Sequence, residues 1–195
     1  MPVDLFAALV GFAFVSSVTP GPNNLMLLAS GANFGFRRSI PHMLGISIGH
    51  LVMIVLVGLG LIRLFEAIPA LHLAMKVASV LYLVYLAWKI AHAAAPGNGT
   101  ESGSPMTFLQ AAAFQWVNPK AWFMALTAIS VYAPETTLAA VALTAAAFAM
   151  VNLPSVSVWT VLGVQIRRVL TNPRRLQIFN WTMAALLIGS LVLIL

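Results

Sequence analysis

The sequence predicts an all-α integral membrane protein with six transmembrane helices, arranged as two inverted three-helix repeats in which helices 1 and 4 are broken. Three observations lead there. Hydrophobic residues make up 61% of the 195 and charged residues 7%, with a mean hydropathy of +0.98. The apolar residues fall into continuous runs of membrane-spanning length. Proline-bearing breaks recur in the first helix on either side of a polar linker.

The composition excludes most other classes. A soluble domain carries about 25% charged residues, and a disordered chain needs low hydrophobicity and high charge. The absence of cysteine excludes a disulfide framework, a thiolate metal site and a dithiol redox pair. A net charge of +6 and a pI near 10.6 would suit nucleic acid. The basic residues, however, mostly lie in short gaps between apolar runs and not on one basic, aromatic-interleaved face. The expected partner is therefore the lipid bilayer and not nucleic acid.

A spanning helix needs about 20 mainly apolar residues. Residues 5–36 and 39–62 carry no charge, and 71–92 carry Lys76 and Lys89. Residues 105–134 hold Lys120 as their one charge, while 136–166 and 176–195 hold none. The predicted spans are 5–33, 40–63, 71–92, 106–133, 137–164 and 177–195. The runs are continuous and not alternating, which argues against a β-barrel. The start, Met1-Pro2-Val3-Asp4, lacks the basic stretch of a signal peptide, and the first run is too long for one, so helix 1 is expected to be retained.

Six spans place both termini on one side. Arg37, Arg38, Lys89, Arg167, Arg168, Arg174 and Arg175 fall on the opposite side, against Arg63 on the side of the termini. By the positive-inside bias, the arginine loops face the cytoplasm and the termini face outward, in a multi-pass inner-membrane protein. The glycosylation-like Asn98-Gly99-Thr100 then lies inside and reads as chance.

Residues 93–105 (AAAPGNGTESGSP) are rich in Gly, Ser and Pro and read as a flexible linker. They divide the chain into a first repeat, 1–92, and a second, 106–195, within one transmembrane domain. A three-helix unit ends on the side opposite its start, so tandem copies must be inverted, as in many secondary transporters. Helix 1 contains Thr19-Pro20-Gly21-Pro22-Asn23-Asn24 and helix 4 contains Asn118-Pro119-Lys120, both near mid-run. Each proline removes a backbone donor and crowds the preceding turn. Opened backbone is tolerated at membrane depth only where it is buried in protein or faces a wet cavity. The alternative is a pair of unrelated packing kinks. His50 in helix 2 and Asn152, just before Pro154, in helix 5 lie at the same depth, again in corresponding members of the two halves.

TPGPNNLMLL (19–28), with Gly35 and GISIGH (45–50), resembles the first half of the LysE/RhtB amino-acid exporter family. FQWVNPKAWFMAL (114–126) is similar to its second-half signature, and LPSVSVWTVLG (153–163) with its following basic loop is also similar. The resemblance covers nearly the whole chain. It implies efflux of amino acids or related metabolites, coupling to an ion gradient by proton antiport, the six-helix inverted-repeat fold and a homodimer. Two features depart from the family. Ser79 and Ala87 flank Tyr82-Leu83 where glycines are common, and His50 stands where many members carry an acid.

The chemistry expected of the breaks follows from the substrate. A small amino acid is a zwitterion, so its carboxylate needs donors and its ammonium needs acceptors. Free amides and the positive dipole end of the half-helix starting near Asn23 suit the carboxylate. Gly21, Asn23 and Asn24 are therefore candidate carboxylate holders, and opened carbonyls around Thr19 and Pro20 candidate ammonium holders. Asn23 reads equally as a plain helix cap. Asn118 and Asn152 complete the polar set. A mid-membrane lysine costs at least about 2.5 kcal/mol, so Lys120 must face a cavity or a partner. It either attracts the substrate carboxylate, changes protonation during the cycle, or tethers the opened carbonyls of helix 1. His50, with an ordinary pKa near 6.5, can carry the coupling proton or simply hydrogen-bond between helices.

Of the acids, Asp4, Glu66 and Glu135 sit at span ends and Glu101 in the linker, so a carboxylate relay has no carrier. Lys76 and Lys89 read as interfacial anchors. Gly45-x-x-x-Gly49 reads as a helix-packing motif. Trp88, Trp159 and Trp181 read as belt residues, and Trp116 as a belt or cavity residue. The four histidines form no metal-ligand spacing, and no GxSxG, HExxH or P-loop occurs, so no cofactor and no metal are expected. Competing classes are a membrane-embedded enzyme using His50 and Lys120, a passive channel, and a cation exporter. The enzyme lacks a nucleophile, and the cation site lacks thiolate and central carboxylate.

Overall fold

The computed structural model describes residues 1–61, 63, 67–68, 70–93, 104–170 and 172–193. Glu66 and residues 94–103 of the linker, with Asn98-Gly99-Thr100 and Glu101, lie outside the described residues.

Every element among the described residues is helical. They are α1 (Val3–Val18), α2 (Pro22–Phe34), α3 (Phe36–Leu56) with a π-helical continuation (Val57–Leu61), and α4 (Ala70–Ala91). There follow α5 (Phe108–Phe114), one 3₁₀ turn (Gln115–Val117), α6 (Pro119–Tyr132), α7 (Leu138–Arg167), and α8 (Pro173–Gly189), which ends in a 3₁₀ turn (Ser190–Leu193).

Local chemistry sets these boundaries. Thr107 and Gln110 form a capping box at the start of α5. Asn118 and Asn172 each accept from the backbone N–H two residues on, with proline at the first helical position. α2 and α3 are joined by Gly35 alone, at φ +81°, a conformation that favours glycine. Arg37 and Arg38, read from sequence as loop residues, therefore sit in the first turn of α3. Pro154 lies inside α7 without ending it, and the helix runs for 30 residues.

Among the described residues, three helices are long and apolar enough to cross a membrane: Phe36–Leu61, Ala70–Ala91 and Leu138–Arg167. The pair α1 and α2, bent by 53°, makes a fourth such span. The α5–α6 segment is cut into short pieces at Gln115–Asn118, and α8 has 17 residues, so neither reaches that length by itself. The surface suits lipid. Leu81 and Leu109 are 66% and 75% exposed, along with Phe14, Leu73, Phe123 and Leu138. In water such an apolar surface would promote aggregation.

The helices pack by close backbone approach. α2 lies along α7 more extensively than any other pair. A Cβ on Gly31 would strike the Thr160 carbonyl, and one on Gly163 would strike the Leu28 carbonyl. α3 packs on α5 through Gly45 and Gly49, where a Cβ would lie 2.7 Å from Ala111 Cβ and Ala112 Cα respectively. α1 rests on α7 and α6, and α4 pairs with α8. Polar ties lock the end of α2: Asn33 and Asn180 exchange amide hydrogen bonds at 2.8 and 3.1 Å, and Ser30 pairs with Ser39 at 2.7 Å.

Candidate functional site

The site begins where α1 stops. Thr19 leaves the helix with ψ 147°, and Pro22 restarts it at the first position of α2. A helix end leaves its last carbonyls without intrahelical donors, which is costly away from water. Here each is answered by a side chain. Ser16 O accepts from Thr19 Oγ1 at 3.1 Å. Ser17 O and Thr19 O accept from Asn24 Nδ2 at 2.9 and 2.8 Å. Val18 O accepts from Trp159 Nε1 at 3.0 Å.

Lys120 completes the set from the other half of the chain. Its ammonium donates to Thr19 O at 2.7 Å, Thr19 Oγ1 at 2.9 Å and Pro20 O at 3.3 Å. This is the contact that the tether, one of the three readings open from sequence, requires, and it fills the carbonyl cluster assigned from sequence to a substrate ammonium. Gly21 makes room for it. The backbone there is extended (φ 179°), so conformation demands no glycine, but a Cβ would lie 2.7 Å from Lys120 Cδ.

The second break is built in the same way. After the 3₁₀ turn, Asn118 is extended and caps α6 through its side chain. Gln115, fully buried, pairs with Asn23 across the two breaks. Asn23 Nδ2 donates to Gln115 Oε1 at 2.8 Å, and Gln115 Nε2 donates to Asn23 Oδ1 at 3.2 Å and to Ala111 O at 2.9 Å. Asn23 is thus not a cap. Gly21 holds the cap position of α2, and the Asn23 amide reaches the 3₁₀ turn before α6.

Asn152 joins three helices, accepting from Ser47 Oγ at 3.0 Å and donating to Ser17 Oγ at 3.3 Å. His50 is buried edge-to-face against Phe148, ring centroids 5.3 Å apart, with neither ring nitrogen hydrogen-bonded.

Gly21, Asn23, Asn24, His50, Asn118, Lys120 and Asn152 line one cavity of about 20 Å³, with room for a single water. Thr19 and Pro20 do not line it and contribute their carbonyls to Lys120. Lys120 also borders a groove of about 720 Å³ between the breaks and α8. Sequence reasoning missed Gln115, Ser17 and Trp159. Gln115, three residues before Asn118 in an otherwise apolar run, was a signal that could have been read. Trp159, read as a belt residue, is instead committed to the break. Trp116 does not line the cavity, and its carbonyl accepts from Trp122 Nε1 at 2.8 Å.

The amide pair has a measurable consequence. Asn23→Ala and Gln115→Ala should each cost about 1–3 kcal/mol, because each strands its partner amide, Gln115 fully buried and Asn23 half-buried. The double variant should cost less than their sum, as read by unfolding in a double-mutant cycle. Strict additivity would show that the pair carries no coupling.

The family profile described as "LysE type translocator" matches residues 14–194 of this chain. A cysteine/O-acetylserine efflux protein of Klebsiella pneumoniae is 31% identical over 195 residues, covering 96% of this chain and 95% of the relative. The protein of the same name from Escherichia coli K12 is 34% identical over 138 residues, 70% of each chain. No solved structure matches at a significant level. With the family profile running through both breaks and the apolar helices around them, the chain is a multi-pass membrane protein and belongs to the LysE type translocator family.

Proposed function

We propose that this protein is a secondary exporter of small amino acids across the inner membrane, working by alternating access with proton antiport. The observation that carries the reading is the Lys120 ammonium seated on the opened carbonyls of α1. These are the acceptors that an amino-acid ammonium would need. An arriving zwitterion can take Thr19 O and Pro20 O with its own ammonium and offer its carboxylate to the displaced Lys120. The swap keeps every charge paired at membrane depth, where an unpaired one is costly. The Asn23–Gln115 amides and the amides at the start of α2 supply further donors to the carboxylate.

The relatives named for cysteine and O-acetylserine efflux point to a substrate with a small, uncharged side chain. The central cavity fits this, since Lys120 is its one formally charged side chain. At about 20 Å³ it is closed, and loading must open it. The inverted-repeat reading has a packing counterpart: α1 lies on α7 as α5 lies on α3, and the two broken segments occupy corresponding places around residues 93–105. The six spans, outward termini and homodimer expected from sequence belong to the same proposal.

The test is counterflow in proteoliposomes against a panel of amino acids. Saturable exchange of cysteine and O-acetylserine is expected. Unsaturable flux, or none for any amino acid, would overturn it. For coupling, His50 and Lys120 are the titratable groups that line the cavity, and Lys120 is engaged with the α1 carbonyls, which leaves His50 as the candidate carrier. His50→Gln should keep counterflow while losing acceleration by a pH gradient. Unchanged acceleration would remove His50 from the proton path.

A further inference from the structure

A second, larger cavity of about 250 Å³ lies at the opposite end of α2 from the breaks. Asn23 to Asn33 is ten residues, so it sits about 15 Å along the helix axis from the central site. Its walls include Ser30, Asn33, His42, Lys89 and Met26, closed by Ser104 and Pro105 where the chain enters the second repeat. By the charge bias of the loops, this is the cytoplasmic side.

His42 makes this cavity more than a packing defect. It is 2% exposed, and neither ring nitrogen has a hydrogen-bond partner. A buried, unpartnered polar group costs about 1–3 kcal/mol. The neighbouring polar groups are already engaged, Ser30 with Ser39 and Asn33 with Asn180, and so do not answer it. Both nitrogens are closed off from the cavity as it stands, and a molecule there with both a donor and an acceptor would answer them once the ring turned toward it. The Lys89 ammonium on the same wall adds a positive charge, while Met26, Leu86 and Met106 give an apolar side. One cation, a donor–acceptor imidazole and a small apolar wall match a short zwitterion.

The cavity also lies on a route. Met26 and Met106 line it, Val156 lines the central cavity, and all three belong to one buried apolar cluster with Met43. Methionine is the side chain that repacks most readily, so Met26, Met43 and Met106 are the members of this cluster that would yield at least cost to a passing ligand.

We propose that the cavity built around His42 is a second binding site for the zwitterion of a small α-amino acid, loaded from the cytoplasmic face before the ligand reaches the helix breaks. The ligand class rests on the export reading above, and the test separates the two.

The full chain with ¹⁵N-labelled histidine, in phosphatidylcholine nanodiscs, is titrated with O-acetyl-L-serine, and His42→Gln assigns the His42 ring signals. The His42 nitrogens should shift saturably. In Lys120→Met that shift should persist, its midpoint changed by no more than about twofold, as for independent sites more than about 10 Å apart. The His50 response should disappear in the same variant.

The proposal is overturned if His42 stays unmoved while His50 saturates, or if Lys120→Met abolishes both responses. It is equally overturned if phosphatidylglycerol moves His42 and the amino acid does not, since the cavity would then be a lipid headgroup site. If His42 responds and His50 does not in the unsubstituted chain, the second site stands and the central one fails. Silence at both overturns both.

Discussion

Lys120→Met should reduce amino-acid export to background, at least about 100-fold, equivalent to about 2.7 kcal/mol of lost stabilisation along the transport path. The substitution keeps most of the side-chain volume and removes the ammonium. Three interactions go with it, to Thr19 O, Thr19 Oγ1 and Pro20 O. Hydrogen bonds from a charged donor contribute about 1.5–3 kcal/mol each. Folding should suffer less than that sum suggests, because the variant no longer places a lysine at membrane depth, which itself costs at least about 2.5 kcal/mol. Transport should therefore fail in a protein that still accumulates. Counterflow normalised to purified protein, with size-exclusion chromatography as the folding check, measures this. Substantial residual exchange would reduce Lys120 to a structural tether.

Gly163→Ala and Gly31→Ala should have the largest effects on folding. The added methyl meets backbone in both cases, with Ala32 N 2.9 Å from a Cβ at Gly163 and Gly163 Cα 3.2 Å from one at Gly31. Backbone has no rotamer to change, so α2 and α7 would have to separate. Overpacking that a side chain can partly relieve costs about 1–3 kcal/mol, and each of these should reach about 3 kcal/mol or more. Gly11→Ala is the matched control. Nothing lies within 4 Å of its Cβ, so the higher helix propensity of alanine should leave it neutral or stabilise it by up to about 1 kcal/mol. Thermal unfolding in lipid reads all three, and equal behaviour of Gly11→Ala and Gly163→Ala would contradict the steric account.

The breaks were legible in the sequence because proline, glycine and asparagine inside an apolar run create backbone groups that lipid cannot satisfy. Lys120 and His50 stood out for a similar reason: polar groups are rare at membrane depth and each needs an explanation. What sequence could not give was the partner of each group. Asn23 looked like a cap, and only the fold brings Gln115, 92 positions away, to its amide. Trp159 looked like an interfacial residue, and only the fold brings it to Val18 O. Helix faces were illegible for a further reason. In lipid the outward and inward faces are both apolar, so no polar stripe marks which side is buried. The extent of α3 was missed because Gly35 turns the chain in a single residue, where the arginines after it suggested a loop.

The glycine contact between α2 and α7 has a mechanical meaning. Two helices meeting backbone to backbone cannot slide past each other as side chains can, so the pair acts as one stiff frame. α2 is anchored in that frame over about 20 Å of its length. α1 leaves that frame through Thr19–Gly21 at an angle of 53°, and Asn24, Asn152 and Trp159 hold its last turn against it. With 16 residues α1 is about 24 Å long, so 10° of flexing at that joint would carry its far end by about 4 Å and would have to break its packing on α7. Gly21 is bare where Lys120 crosses it, and the lysine adds its own bonds to those that would have to break for the joint to flex.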